Sequence, residues 1–295
     1  FILPLFKKQI VLPNLKLRAL EVYAERRPDR AFNLQELFLK WQASPAPGPV
    51  SAFRFLVYKA TLTDGQVHFR DATFTPALSK DIQDLDMVAR FSLPSSIKFN
   101  LSAAIPVAGR EPMQVDGQGE FRLAEQDLVA KVAIQNFLPR EFMPYYKQTG
   151  VEVREGFMDG LFDFELKQGT VYADIELKSR ELWLGCKDVS LCLSADMRFS
   201  LLYNFEEKQA AFSGKALVFN SQFLGTGFFN QVKDISAEVV FNDTEVSAQN
   251  LKALIRDIPV QARAIVNDLR APLIQLELSS RFPLASEACR PFACS

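Results

Sequence analysis

Few groups in this sequence are able to do chemistry, and their spacing argues against catalysis. His68 is the sole histidine, so a nucleophilic triad would need it beside a Ser or Cys and a carboxylate. No Gly-x-Ser-x-Gly occurs. The alternation Val67-His68-Phe69 sets the imidazole on the polar side of its strand, which predicts a surface residue. Asp81 with Asp84 and Glu206 with Glu207 pair carboxylates. General acid–base work needs burial to tune one of them, and both pairs stand in polar, turn-like sequence. Asp84-Leu85-Asp86 lacks the glycine and terminal glutamate of a calcium loop. Cys186, Cys192, Cys289 and Cys294 contain no Cys-x-x-Cys, and one histidine completes no zinc set. Cys186 and Cys192 are too far apart for a disulfide along an extended strand and read as core or free thiols. Cys289 and Cys294 would close a small loop in an oxidising compartment. Catalytic residues, metals and cofactors are therefore not expected.

Composition narrows the class further. Thirty-four Lys and Arg against 35 Asp and Glu leave a net charge of −1 over 295 residues, without the basic stripe of a nucleic-acid protein. Only 13 glycines are present, few for phosphate-cradling loops, against 26 phenylalanines that must be hidden from water. No run reaches the roughly 18–20 apolar residues of a membrane-spanning helix. The most apolar end, Phe1 to Phe6, is broken by Pro4 and followed by Lys7 and Lys8. The chain as given is expected to be soluble. Starting on Phe rather than Met, it fits a mature form or part of something longer.

The elements that would position any site are mostly strands. Leu15 and Leu17 alternate with Lys16 and Arg18, and Asn33 with Glu36 resembles a reciprocal helix cap, so residues 1–42 read as a strand plus a short helix from Leu34 to Trp41. Pro45, Pro47, Gly48 and Pro49 make residues 43–52 a stiff linker. From residue 53 the period is two. It is clear in Ile97, Phe99, Leu101, Ala103 and Ile105, in Leu128, Ala130, Val132 and Ile134, and in Val171, Ala173, Ile175 and Leu177. It returns at Ile235, Ala237, Val239 and Phe241 and at Ile274, Leu276 and Leu278. Asp64-Gly65, Asp116-Gly117, Glu125 to Asp127, Lys167 to Thr170 and Glu206 to Lys208 read as hairpin turns. Phe137 to Gly150 breaks the alternation and reads as a short helical or irregular insert. The expected fold is mainly β: an elongated antiparallel sheet of stacked hairpins, in two continuous blocks, 53–185 and 186–295.

The hairpins repeat. Asp116 to Leu123 superposes without a gap on Asp159 to Leu166, 43 positions on, and the matched face continues from Leu128–Ile134 to Val171–Leu177. A weaker copy of the opening stands at Asp64 to Arg70. Stacked units with one apolar face each build a long sheet whose apolar side needs covering. The predicted helices are too few for that. The sheet must then curl on itself, or an apolar ligand must fill the trough.

Three stretches resemble the AsmA-like family of bacterial envelope proteins, the group that includes the TamB-like inter-membrane bridges. They are Phe32 to Leu37 with the Pro-rich break after it, Lys59 to Asp71 followed by Pro76 to Leu85, and Pro139 to Gly160. A later run, Gly214 to Ser279, is similar to the family's repeated unit. The resemblance implies a U-shaped β-groove, apolar inside, in periplasmic proteins anchored in the inner membrane that carry phospholipids towards the outer membrane. The chain departs from the pattern in lacking the N-terminal membrane helix and in being short.

On this reading the groove wall comprises Ile97, Phe99, Leu101, Ile105 and Phe121, then Val132, Ile134, Phe162, Phe164, Val171, Ile175 and Leu177. Further along it includes Phe212, Val218, Ile235, Val239, Phe241, Ile274 and Leu276. The expected partners are phospholipid acyl chains, together with inner- and outer-membrane proteins, and no nucleic acid. The alternative is a non-catalytic scaffold β-domain of the cell envelope that binds protein partners.

Overall fold

The computed structural model describes residues 9–34, 54–92, 95–186, 188–226, 230–268 and 273–280. Four strands precede the long meander: β1 (Gln9–Leu12), β2 (Leu15–Arg18), β3 (Glu21–Arg26) and β4 (Arg54–Val57). Then follow β5 (Lys59–Asp71), β6 (Leu78–Ser92), β7 (Ser96–Ile105), β8 (Met113–Arg122) and β9 (Asp127–Phe137). A helical insert separates these from β10 (Glu152–Lys167), β11 (Thr170–Cys186), β12 (Val189–Asn204) and β13 (Gln209–Leu224). The last strands are β14 (Gln231–Asn242), β15 (Glu245–Ile255), β16 (Ile258–Asn267) and β17 (Leu273–Ser280).

Strands β5 to β17 pair in chain order, each antiparallel to the next, within one 15-stranded sheet that does not close into a barrel. The order follows from the sequence, because most amphipathic runs are joined to the next by only a few residues, which leaves little freedom for crossovers. The N-terminal edge differs. β2 and β3 both lie parallel to β5, and β1 lies parallel to β4 in a separate pair. Parallel neighbours require a long return connection, and residues 27–53 supply its length. β11 and β12 pair antiparallel along their length, up to Cys186 opposite Val189, with one irregularity between Ser179 and Leu182.

Register places the apolar set of every strand on one side. Phe99 pairs with Gly119 and Ala89, Val132 with Gly117 and Phe162, and Ile175 with Phe162 and Phe199. The series continues through Val218 and Ala237, Phe241 and Val246, and Ala264 and Leu276. Directly paired residues share a face. The opposite side carries ion pairs between neighbouring strands, such as Lys131–Asp163 at 2.6 Å and Arg198–Glu176 at 3.4 Å.

Near one rim the alternation slips by one residue in strand after strand. Asp64, Asp84, Asn136, Glu181, Asn220, Asp234 and Asn250 have φ between 46° and 55° and sit at irregularities in the ladder. Each is a β-bulge, which adds a residue and bends its strand. In line, they crease the sheet from β5 to β15. The fully buried small residues Ala103, Ala130, Ala195, Ala237 and Ala253 lie on the apolar side, where bending brings neighbouring side chains over them.

The structure corrects several expectations. Asp64-Gly65 and Asp116-Gly117 are not turns: the first is a bulge inside β5 and the second lies in mid-strand in β8. The other three expected turns connect strands. Cys186 and Cys192 lie on the separate, paired strands β11 and β12, and both remain free thiols, the first exposed and the second buried. Asn33 spends its side chain on β3, accepting from the Glu25 N–H and donating to the Tyr23 carbonyl, both at 2.8 Å. Of the helix expected over Leu34–Trp41 only the start is described, and the Pro-rich linker, Cys289 and Cys294 lie outside the described residues. The repeated hairpins share a face, but their registers differ by two residues: Phe121 opposes Leu128, whereas Phe164 opposes Ala173 and Leu166 opposes Val171.

Candidate functional site: an apolar trough

Every residue expected in the groove wall falls on the same face by register, although they come from eight different strands. Ile175 is buried and Leu276, on the edge strand, is 49% exposed. Ile274 pairs with Val266, in the register row that leads back through Phe241 and Phe199 to Ile175. The remainder are half-buried. That value carries information, because among the described residues no second sheet lies on this face.

Adjacent positions on one strand supply the control. Leu217 and Val240, pointing to the polar side, are 53% and 44% exposed, whereas their neighbours Val218 and Val239 on the apolar side are half-buried. Apolar side chains that pack against one another from strand to strand account for the difference. The apolar face is thus half-shielded by its own side chains and, among the described residues outside the section under the helical insert, carries no covering layer. Shallow hollows of about 600 to 730 Å³ lie mainly on the polar face, lined by groups such as Glu176, Lys178, Arg198 and Lys215.

Aromatic rings pave the floor where glycine leaves room. A Cβ on Gly119 would come within 2.7 Å of Phe99 Cζ and 2.6 Å of the Val129 carbonyl oxygen, so the ring lies flat over the glycine. In the same way Phe199 and Phe241 approach each other at 6.1 Å over Gly214, which separates them in the ladder, and Phe212 joins at 6.3 Å. These spacings are normal for interacting rings. They make a smooth hydrocarbon surface without a polar anchor.

Charge enters the apolar side at one corner. Arg26, Asp71 and Lys80, at the ends of β3, β5 and the start of β6, follow Val22, Val67 and Ile82 on that face. The insert expected between Phe137 and Gly150 folds over them: a 3-10 turn (Pro139–Phe142), α1 (Met143–Tyr146) and a second 3-10 turn (Lys147–Thr149). The Tyr145 hydroxyl donates to Asp71 at 2.9 Å, and Lys80 meets Glu141 at 2.5 Å while lying 5.5 Å from the centre of the Phe142 ring. Phe142 stacks on Phe137, and Tyr145 meets Phe74 edge-on at 4.9 Å. Met113 and Leu138 are buried here, together with the strap's own first residue, Pro139.

Asp71 has no exposed surface, yet it is held as a carboxylate. Burial alone would raise its pKa. Hydrogen bonds from the Thr73 hydroxyl and N–H and from Tyr145, with the Arg26 charge, outweigh burial and bring it below the usual 3.8. Burial and the Asp71 carboxylate push the Tyr145 phenol up to about 12. Buried Arg26 Nε has no hydrogen-bond partner among the described residues.

The chemical candidates stay on the polar side. His68 Nδ1 lies 2.8 Å from Asp81, and its ring stacks on Tyr23 at 4.7 Å. Asp84 forms a bulge, and Glu206 and Glu207 cap a turn by donating their N–H groups to Asn204. Among the described residues no group of acidic, His or Cys side chains is placed to hold a metal. Sequence reasoning missed the strap's partners, although Val67, Phe69 and Asp71 continue one alternation into the apolar face. It also missed the bulges, whose signal is the three-residue interval between successive apolar positions, as in Ile235 and Val232 or Ala248 and Leu251. No protein-family model matches the chain, and no curated protein or solved structure is detectably similar to it.

Proposed function

We propose that this chain is a segment of a lipid-carrying groove that takes part in phospholipid transfer between the inner and outer membranes in the periplasm. The supporting observation is the continuous apolar face of an unclosed sheet, half-shielded by its own side chains and, outside the section beneath the helical insert, free of a covering layer among the described residues. The compartment and the lipid cargo come from the resemblance of Lys59 to Asp71 and Pro139 to Gly160 to AsmA-like proteins. Acyl tails lie along the floor, and head groups stay in water at the open side. A tail of about 16 carbons gains about 12 kcal/mol when fully buried, and about half that in an open trough. Apolar contact is non-directional. Successive Val, Ile and Phe positions therefore hold a tail about equally well, and a lipid slides without ATP at this domain.

Extraction of the purified chain with organic solvent, followed by mass spectrometry, tests this reading. Phospholipid should be recovered from the wild type. Phe99→Asp and Val239→Asp should reduce it several-fold, and the outward substitutions Lys98→Asp and Glu238→Gln should leave it unchanged. Equal effects on both faces, or a lipid-free chain with a cross-linked protein on its apolar face, would assign the trough to scaffolding.

A further inference from the structure

Resting on the groove reading, we propose that the strap from Pro139 to Thr149 is a gate over the trough, docked on β5 and β6 by Tyr145–Asp71 and Lys80–Glu141 and released to admit lipid. The strap leaves the sheet at the end of β9 and returns in β10, but its far contacts lie on strands several places away in the sheet. It therefore passes across the wall section where Met113 is buried and Ile105 half-buried. Lipid in that section and a docked strap exclude one another.

Three features suit the strap to leave and return. Its helical pieces are only three or four residues long, begin on extended Leu138 and end on Gly150 with φ of 74°, so it has little regular structure to melt. A hollow of about 390 Å³ between Arg140 and Met143 on one side and Glu152 to Glu155 on the other leaves its back unpacked. The docking site also keeps its own partners. When Tyr145 departs, Asp71 still accepts from the Thr73 N–H at 3.0 Å and the Thr73 hydroxyl at 2.5 Å and faces Arg26 at 3.4 Å. Undocking thus leaves no orphaned carboxylate, which is the usual penalty that holds a buried polar contact shut.

The test measures the rate at which the full chain takes up an acyl-labelled fluorescent phospholipid from phosphatidylethanolamine and phosphatidylglycerol vesicles, and the amount bound at the end. Tyr145→Phe combined with Glu141→Gln removes both docking contacts and should speed uptake by about three- to tenfold, with the endpoint unchanged. Phe74→Cys with Tyr145→Cys, in a background whose native cysteines are Ser and joined by a bis-maleimide that carries a cleavable disulfide, should lock the strap while that disulfide is oxidised. Uptake should then slow by about tenfold or more and recover on reduction. Equal rates for the wild type and the released variant, or for the oxidised and reduced lock, would overturn the gate. Lipid bound by none of the proteins would overturn the groove reading itself.

Discussion

Asp71 shows how a charged group persists inside an apolar wall. Its lowered pKa sets the sign of its contribution. A carboxylate depressed in the folded state stabilises above its ordinary value of 3.8 and loses that stabilisation as pH falls through the lowered one. Tyr145 behaves in the opposite sense. Its stabilising, protonated form is complete below the ordinary 10.0 and is lost as pH rises through about 12. Removing the charge by Asp71→Asn should cost about 1–3 kcal/mol at neutral pH. In denaturant titrations the gap to wild type should be flat at neutral pH and shrink below about pH 4. The gap for Tyr145→Phe should shrink only above pH 10. A gap that grew on acidification would remove the carboxylate from the account.

At the scale of the element, the bulges decide the shape. An Asp or Asn in a positive-φ position costs little, because its short side chain tolerates that region, whereas a β-branched residue is strained there. Asp234→Val should therefore destabilise the chain by about 1–2 kcal/mol, and Asp234→Gly should be near neutral. Thermal or chemical unfolding of the two variants distinguishes them, and equal stability would mean that the bulge conformation is not what the position requires. The alternation of β7, β9, β11 and β14 was legible because each of those runs keeps one phase. The crease was not, because a period-two reading treats a three-residue interval as the end of a strand and not as its bend. Asp64-Gly65 was mistaken for a turn for that reason: Asp-Gly satisfies a tight hairpin and a bulge equally well. The parallel N-terminal edge was equally hidden, since β2 carries the same alternation whichever way its neighbour runs.

In the whole molecule, the single meandering sheet and its face assignment came from pattern alone, while the strap's reach did not. Nothing local in Pro139 to Thr149 announces that Tyr145 will meet a carboxylate 74 residues earlier. The sheet's own bending creates that contact. Pairing, by contrast, is almost wholly between sequence neighbours. The longest strands, β10 to β13 at 16 or 17 residues each, stand inside the sheet, and the short β2, β3 and β17 stand at its ends. Amide exchange followed by mass spectrometry should show protection highest in β10 to β13 and falling towards both edges. Uniform protection across the sheet would contradict nearest-neighbour stabilisation.

Strand order that copies chain order makes the protein effectively one-dimensional in its energetics. Such an array zips up from any hairpin, frays from its ends, and does not need its distant parts to be present for the middle to hold. Excising one complete hairpin, two strands with their turn, would shorten the array by roughly 10 Å at the usual strand spacing. Every remaining side chain would keep its orientation, so length can be altered in whole hairpins without redesigning the rest.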